Sequence, residues 1–179
     1  MKIEELTLKP FDTFANQWAL VTAGNMEEFN SCTVSWGSLG TIWTRPGTTG
    51  ATATVYIYPS RHTKKLMMKN DSFTVSFFPM EQRKALAYMG SHSGRNENKA
   101  ANAGLTPIAV EDSVTYKEAS MAFVCKKLYQ HQFSKGDLAP EIAAYYQANP
   151  KVYPTDENGD WQTHYVFIGE IMELINNET

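Results

Sequence analysis

Two short runs concentrate the residues able to hold an anion: Ser60-Arg61-His62-Thr63 and Ser91-His92-Ser93-Gly94-Arg95-Asn96-Glu97-Asn98-Lys99. Each mixes guanidinium or ammonium groups with hydroxyls, and each adjoins a stretch expected to be helical, whose first N–H groups have no partner within the helix. A phosphate monoester needs that combination: bidentate forks, hydroxyl donors and a glycine, here Gly94, that admits close backbone approach. Arg61, Thr63, Arg95 and Lys99 can share one phosphate. At roughly 1.5 to 3 kcal/mol per charge-assisted bond, three or four contacts anchor a small phosphorylated ligand at micromolar affinity or better. Two solvated turns are the other reading of the same residues.

Residues 30–36 alternate, with Cys32, Val34 and Trp36 on one face and Ser31, Thr33 and Ser35 on the other. A flat heteroaromatic ring such as isoalloxazine needs polar partners along one edge and an apolar wall. Asn30, Ser31, Thr33 and Ser35 offer the edge, and Trp36, Trp43 and Phe167 are candidates for the wall. Ordinary core packing is the other reading of each aromatic. The patterns GxGxxG, GxxxxGK[ST], GxSxG and HExxH are absent, so the common dinucleotide, triphosphate, hydrolase and zinc-protease readings have no anchor. No catalytic side chain and no metal site are expected: His62 and His92 have no carboxylate or cysteine at ligand spacing. Cys32 and Cys125 stand far apart and read as inert buried strand residues.

The elements that must position these residues are mostly strands. At 179 residues, 42% hydrophobic and 20% charged, the chain reads as a single domain over 1–179. A net charge of -3 argues against a broad nucleic-acid footprint. No apolar run approaches the ~20 residues of a membrane helix, and residues 1–10 have no continuous apolar stretch, so a cytoplasmic protein without a membrane partner is expected. Alternation predicts strands over 18–24, 30–36, 52–58 and 72–78, with longer ones over 121–133 and 164–174. Helices are expected over 61–70, capped by Ser60, over 81–89, and over 140–147, with a short Ala-rich piece before Gly104. Residues 37–50 read as a Thr- and Gly-rich loop, and 149–161 as an irregular excursion. Strands dominate and no regular strand–helix alternation appears. The expected class is therefore mainly β with inserted helices, an antiparallel Greek-key split β-barrel.

The order of these motifs resembles the flavin reductase-like, FMN-binding split-barrel family, in its flavoredoxin-like branch. The resemblance is carried by Asn30-Ser31-Cys32-Thr33-Val34-Ser35-Trp36-Gly37, Ser60-Arg61-His62-Thr63, Phe73-Thr74-Val75-Ser76-Phe77-Phe78-Pro79, Gly90-Ser91-His92-Ser93-Gly94-Arg95 with Lys99, and His164-Tyr165-Val166-Phe167-Ile168-Gly169-Glu170. It implies FMN as cofactor, with Asn30, Thr33 and Trp36 near the ring or ribityl chain, beside Ser31 and Ser35 of the hydroxyl face as further cofactor-binding candidates. Arg61, Thr63, Ser93 and Lys99 match the phosphate side, His62, Gly94 and Arg95 of the same two loops are cofactor-binding candidates beside them, and His131, His164 and Phe167 are further contacts. It also implies a homodimer, NADH or NADPH as co-substrate, and an NAD(P)H-dependent flavin reductase. The alternatives are a flavoredoxin-like electron carrier fed by a redox protein partner, and a barrel that binds no flavin. Two departures stand out: an insertion at 47–50, read as reshaping the nicotinamide entrance, and Tyr58 where the family commonly has arginine.

Overall fold

A computed structural model of the chain describes residues 3–177. Its elements run α1 (Pro10–Asp12), β1 (Ala19–Gly24), β2 (Phe29–Val34), β3 (Gly37–Thr41), β4 (Ala51–Ile57), α2 (His62–Lys69), β5 (Ser72–Phe77), α3 (Arg83–Ser91), α4 (Lys99–Asn102), β6 (Pro107–Val110), β7 (Ser113–Tyr116), β8 (Met121–Gln132), α5 (Pro140–Ala148) and β9 (Tyr165–Asn176). Seven strands form one sheet in the order β2-β1-β5-β8-β9-β4-β3, and β6 and β7 make a separate hairpin. Every pairing is antiparallel. The sheet curls until β2 and β4, which share no ladder, touch; the result is the expected split barrel, a seven-stranded half-barrel with a few helices.

Period-2 alternation sorts the strands onto two covered faces. Val21 and Ala23 of β1, Phe73, Val75 and Phe77 of β5, Phe123 and Cys125 of β8, and Phe167 of β9 fill the barrel, joined by Leu66 and Met67 of α2. Gly169 allows β9 to close on this core, because a Cβ there would meet the Phe73 ring and Cys125. On the other face, Leu20 packs with Leu86 and Met89 of α3 and with Tyr116 of β7. The hydroxyls of that face are satisfied rather than solvated: Thr74 donates to the Val114 carbonyl (2.6 Å), Ser76 pairs with Thr115 (2.9 Å), and Ser31 bridges Thr22 (2.7 Å) and Tyr116 (2.6 Å).

The structure corrects four expectations about elements. Part of the 37–50 loop is strand β3, paired along β4, since edge pairing needs backbone groups and tolerates the glycines that hid it. The β6–β7 hairpin was not foreseen; it caps the hydroxyl face just described. The helix read as ending before Gly90 continues through Gly90 to Ser91. Ser60 does not cap α2: its N-cap is Arg61, without a side-chain cap hydrogen bond.

Candidate functional site

The N-terminus of α2 faces a cleft between β2 and residues 91–99. Its C-terminus is closed off by the Lys127 ammonium, which donates to the Met67 (2.7 Å) and Met68 (3.3 Å) carbonyls, and by Asn70, which donates to Leu66 (2.9 Å). One end of the cleft, about 110 Å³, is lined by Asn30, Ser60, Arg61, His62, Thr63 and residues 91–95 with Lys99. Three cations converge there, and each ties two segments together through a carbonyl. Arg61 donates to Gly90 (2.6 Å), Arg95 to Ser60 (3.2 Å), and Lys99 to Met89 (2.9 Å) and His92 (3.2 Å). The ion pairs among the described residues are Arg45–Glu170 and Lys69–Glu28, so none of the three has a carboxylate in salt-bridge contact. Burial lowers the Lys99 pKa, and burial together with the Arg95 and Lys65 charges lowers that of His62. The His62 Nδ1 is buried without a hydrogen-bond partner. Asn30 donates to Thr63 (2.7 Å), and Gly94 must be glycine because a Cβ would land on the Asn30 Oδ1. The arrangement suits a dianion: guanidinium donors left over, one ammonium, hydroxyls, and an uncapped helix start.

The other end, about 310 Å³, is lined by residues 32–36, Tyr56, Tyr58, Tyr145, Val152, Tyr153 and His164. Cys32 and Arg61 border both ends, so the two adjoin along one trough. Its walls are aromatic: the Trp36 and His164 rings are 4.8 Å apart, Tyr58 and His164 5.2 Å, Tyr58 and Tyr153 5.2 Å. Burial, reinforced by the Arg61 charge, pushes the His164 pKa down to about 4, so the imidazole is neutral at physiological pH. A trough with a cation cradle at one end and aromatic walls at the other matches a phosphorylated molecule with a flat ring.

The flavin reductase-like domain model matches residues 11–179. The chain belongs to the flavin reductase-like family. Solved structures agree at the level of fold. Flavoredoxin from Methanosarcina acetivorans superposes with a TM-score of 0.63 at 19% identity, covering 99% of this chain and 75% of that one. Flavoredoxin from Desulfovibrio vulgaris (Miyazaki F) gives 0.62 at 23% identity, 99% and 78%. An FMN-binding protein from Thermus thermophilus, solved with 1-cyclohex-2-enone, gives 0.63 at 21%, 99% and 81%. Among curated proteins no sequence match reaches significance.

Within this flavin reductase-like chain, most of the residues singled out from the sequence meet along the trough. Asn30, Arg61, His62, Thr63, Ser93, Gly94, Arg95 and Lys99 line the cation end; Thr33, Ser35, Trp36 and His164 line the aromatic end. Four do not meet there. Ser31 turns to the opposite face and bonds Thr22 and Tyr116, because alternation sends it away from Cys32. Phe167 is fully buried in the barrel core. His131 is exposed on β8, its ring 6.3 Å from Tyr129. Trp43 lies at the outer end of the β3–β4 hairpin, 6.4 Å from Tyr129. Even Thr33 uses its hydroxyl internally, donating to the Leu86 carbonyl (2.5 Å). The 47–50 insertion does not reach the trough: Arg45 ties its hairpin to Glu170 (2.6 Å), and Gly47, Thr48 and Thr49 border a separate cavity with β9. Sequence reasoning missed Tyr56, Tyr145 and Val152, and noted Tyr58 only as a departure from the family's usual arginine.

Proposed function

We propose that the trough binds FMN, phosphate at the cation end and isoalloxazine against the aromatic end, and that the protein is an NAD(P)H-dependent flavin reductase. The observation that carries this reading is that the two ends adjoin at Cys32 and Arg61, with three cations, Lys99 buried, Arg61 half-buried and Arg95 exposed, that have no carboxylate in salt-bridge contact. Arg61, Arg95, Lys99, Ser93 and Thr63 would hold the phosphate; Trp36 and Tyr58 would face the ring. FMN supplies the two-electron redox chemistry. The chain's own part is to orient the ring, exclude water and leave one face open to a nicotinamide, which proximity alone can hold in reach. An obligatory acid or base is not required.

The reading includes a homodimer. An apolar groove of about 460 Å³, lined by Pro10, Phe11, Phe14, Trp36, Tyr56 and Phe133, adjoins the ring end and shares Ser35, Trp36 and Tyr56 with it. A second copy seated on the groove would cover both.

The test is a visible spectrum of the protein after FMN addition and desalting, followed by NADH or NADPH without oxygen. A retained flavin band that bleaches promptly with nicotinamide is expected. A band that only dithionite bleaches would replace the reductase with an electron carrier fed by a redox protein. No retained band, with no quenching of FMN fluorescence on titration, would overturn flavin binding itself.

A further inference from the structure

Behind the ring end lies a polar pair of which only one member borders the trough. The Tyr146 hydroxyl and the His164 Nδ1 are 2.6 Å apart, and the two residues are only 4% and 7% exposed. His164 borders the trough, whereas Tyr146 does not. Tyr146 reaches it from α5, packed against Tyr153 (5.1 Å) and Trp161 (5.8 Å). Trp36, Tyr58 and Tyr153 fix the plane of the imidazole from other sides.

We propose that Tyr146 is a positioning residue: its O–H donates to the His164 Nδ1, which puts the ring proton on Nε2 and makes His164 a fixed N–H donor toward an acceptor atom of the molecule bound at the ring end. A neutral imidazole has one donor and one acceptor nitrogen, and His164 is neutral because burial and Arg61 disfavour its charge. The direction of the bond follows from what each partner can do with its proton. Among the described residues, Nδ1 is the only acceptor within hydrogen-bond reach of the Tyr146 hydroxyl. The His164 backbone acts on the Tyr146 oxygen as a second hydrogen-bonding group, opposing the effect of burial on the phenol. If Nδ1 carried the proton, the phenol proton would be stranded in a buried setting, at the cost of an unmade bond. The Nε2 has no protein partner among the described residues, so its N–H is available to a carbonyl oxygen or ring nitrogen. The identity of that molecule rests on the proposed flavin site; the tyrosine–histidine pair does not.

Long-range ¹H–¹⁵N correlation spectra of the imidazole groups at pH 7 test the pair without any ligand, with His164→Gln used to assign the signals. Wild-type protein should show the His164 Nε2 with the shift of a protonated nitrogen and Nδ1 with that of an unprotonated acceptor. Tyr146→Phe keeps the ring and removes only the oxygen; it should move both shifts toward the average of mixed tautomers. It should also weaken FMN binding by about 2- to 10-fold, the size of one neutral hydrogen bond. A wild-type His164 protonated on Nδ1, or a single unchanged tautomer in Tyr146→Phe, would overturn the pair. The expected tautomers with unchanged FMN affinity would overturn the donor role toward the ligand. Absence of FMN binding by wild-type protein would instead remove the flavin site and leave the spectra to decide the pair.

Discussion

Lys99 illustrates what single residues contribute to this trough. It is 5% exposed, two of its three donors are taken by the Met89 and His92 carbonyls, and burial already depresses its pKa. Keeping an ammonium there is costly unless an anion compensates it. Arg61 is bound to the Gly90 carbonyl through one nitrogen and retains further donors. Arg61→Ala and Lys99→Ala should each weaken FMN binding by about 1.5 to 3 kcal/mol, measured by fluorescence titration; unchanged affinity in both would remove the phosphate assignment. These residues were legible in the sequence because charge declares itself: a guanidinium beside hydroxyls and glycine has few roles. Ser31 and Phe167 were not, because alternation says which residues share a face but not what covers it. Ser31 read as part of a ligand surface, but Tyr116 of the β6–β7 hairpin covers it.

At the scale of elements, the segment running from α5 to β9 behaves as an attachment with its own small core. Tyr58, Tyr146 and Tyr153 pack together with Leu138 and Trp161, Tyr58 donates to the Pro154 carbonyl (2.9 Å), and Tyr146 meets His164. A solvated histidine takes up its proton near pH 6.5, whereas His164 does so only near 4. Between those values the unfolded chain binds a proton that the folded chain refuses, so stability is intact above pH 6.5 and falls as pH drops toward 4. The loss is on the order of 3 kcal/mol. The charge facing His164 is Arg61, which opposes protonation; Tyr58, Tyr146 and Tyr153 stay neutral in this range. His62, also depressed, adds to the loss in the same direction. Urea unfolding from pH 7 to 4 should therefore show a steeper decline for wild type than for His164→Gln; parallel curves would mean that His164 is not held neutral. The long strands followed from their apolar runs, and α2 from the proline stop before it and the apolar run at its middle. β3 and the hairpin did not, since short edge strands rich in glycine or proline depend on their partner for definition.

At the scale of the whole molecule, three of the exposed aromatic residues gather at one place. Phe11 is 90% exposed, and Trp36 and Phe133 are 42% and 38% exposed; all three border one groove with Pro10, Phe14 and Tyr56. Single exposed aromatics are ordinary, but a contiguous set beside a ligand trough is the pattern of a surface meant to be covered. Covering a phenylalanine is worth about 1.5 to 3 kcal/mol, and a twofold contact counts it twice. Light scattering should give twice the chain mass for wild-type protein, and Phe11→Asp should give the monomer, because a carboxylate in that position would lose its solvation on association. Trp36 and Tyr56 line both the groove and the ring end, so loss of the dimer should open the ring end to water and weaken FMN binding in the same variant. A wild-type monomer would remove the dimer from this account. A Phe11→Asp monomer that holds FMN as tightly as wild type would mean that one chain completes the trough alone, and that the groove serves association without serving the flavin.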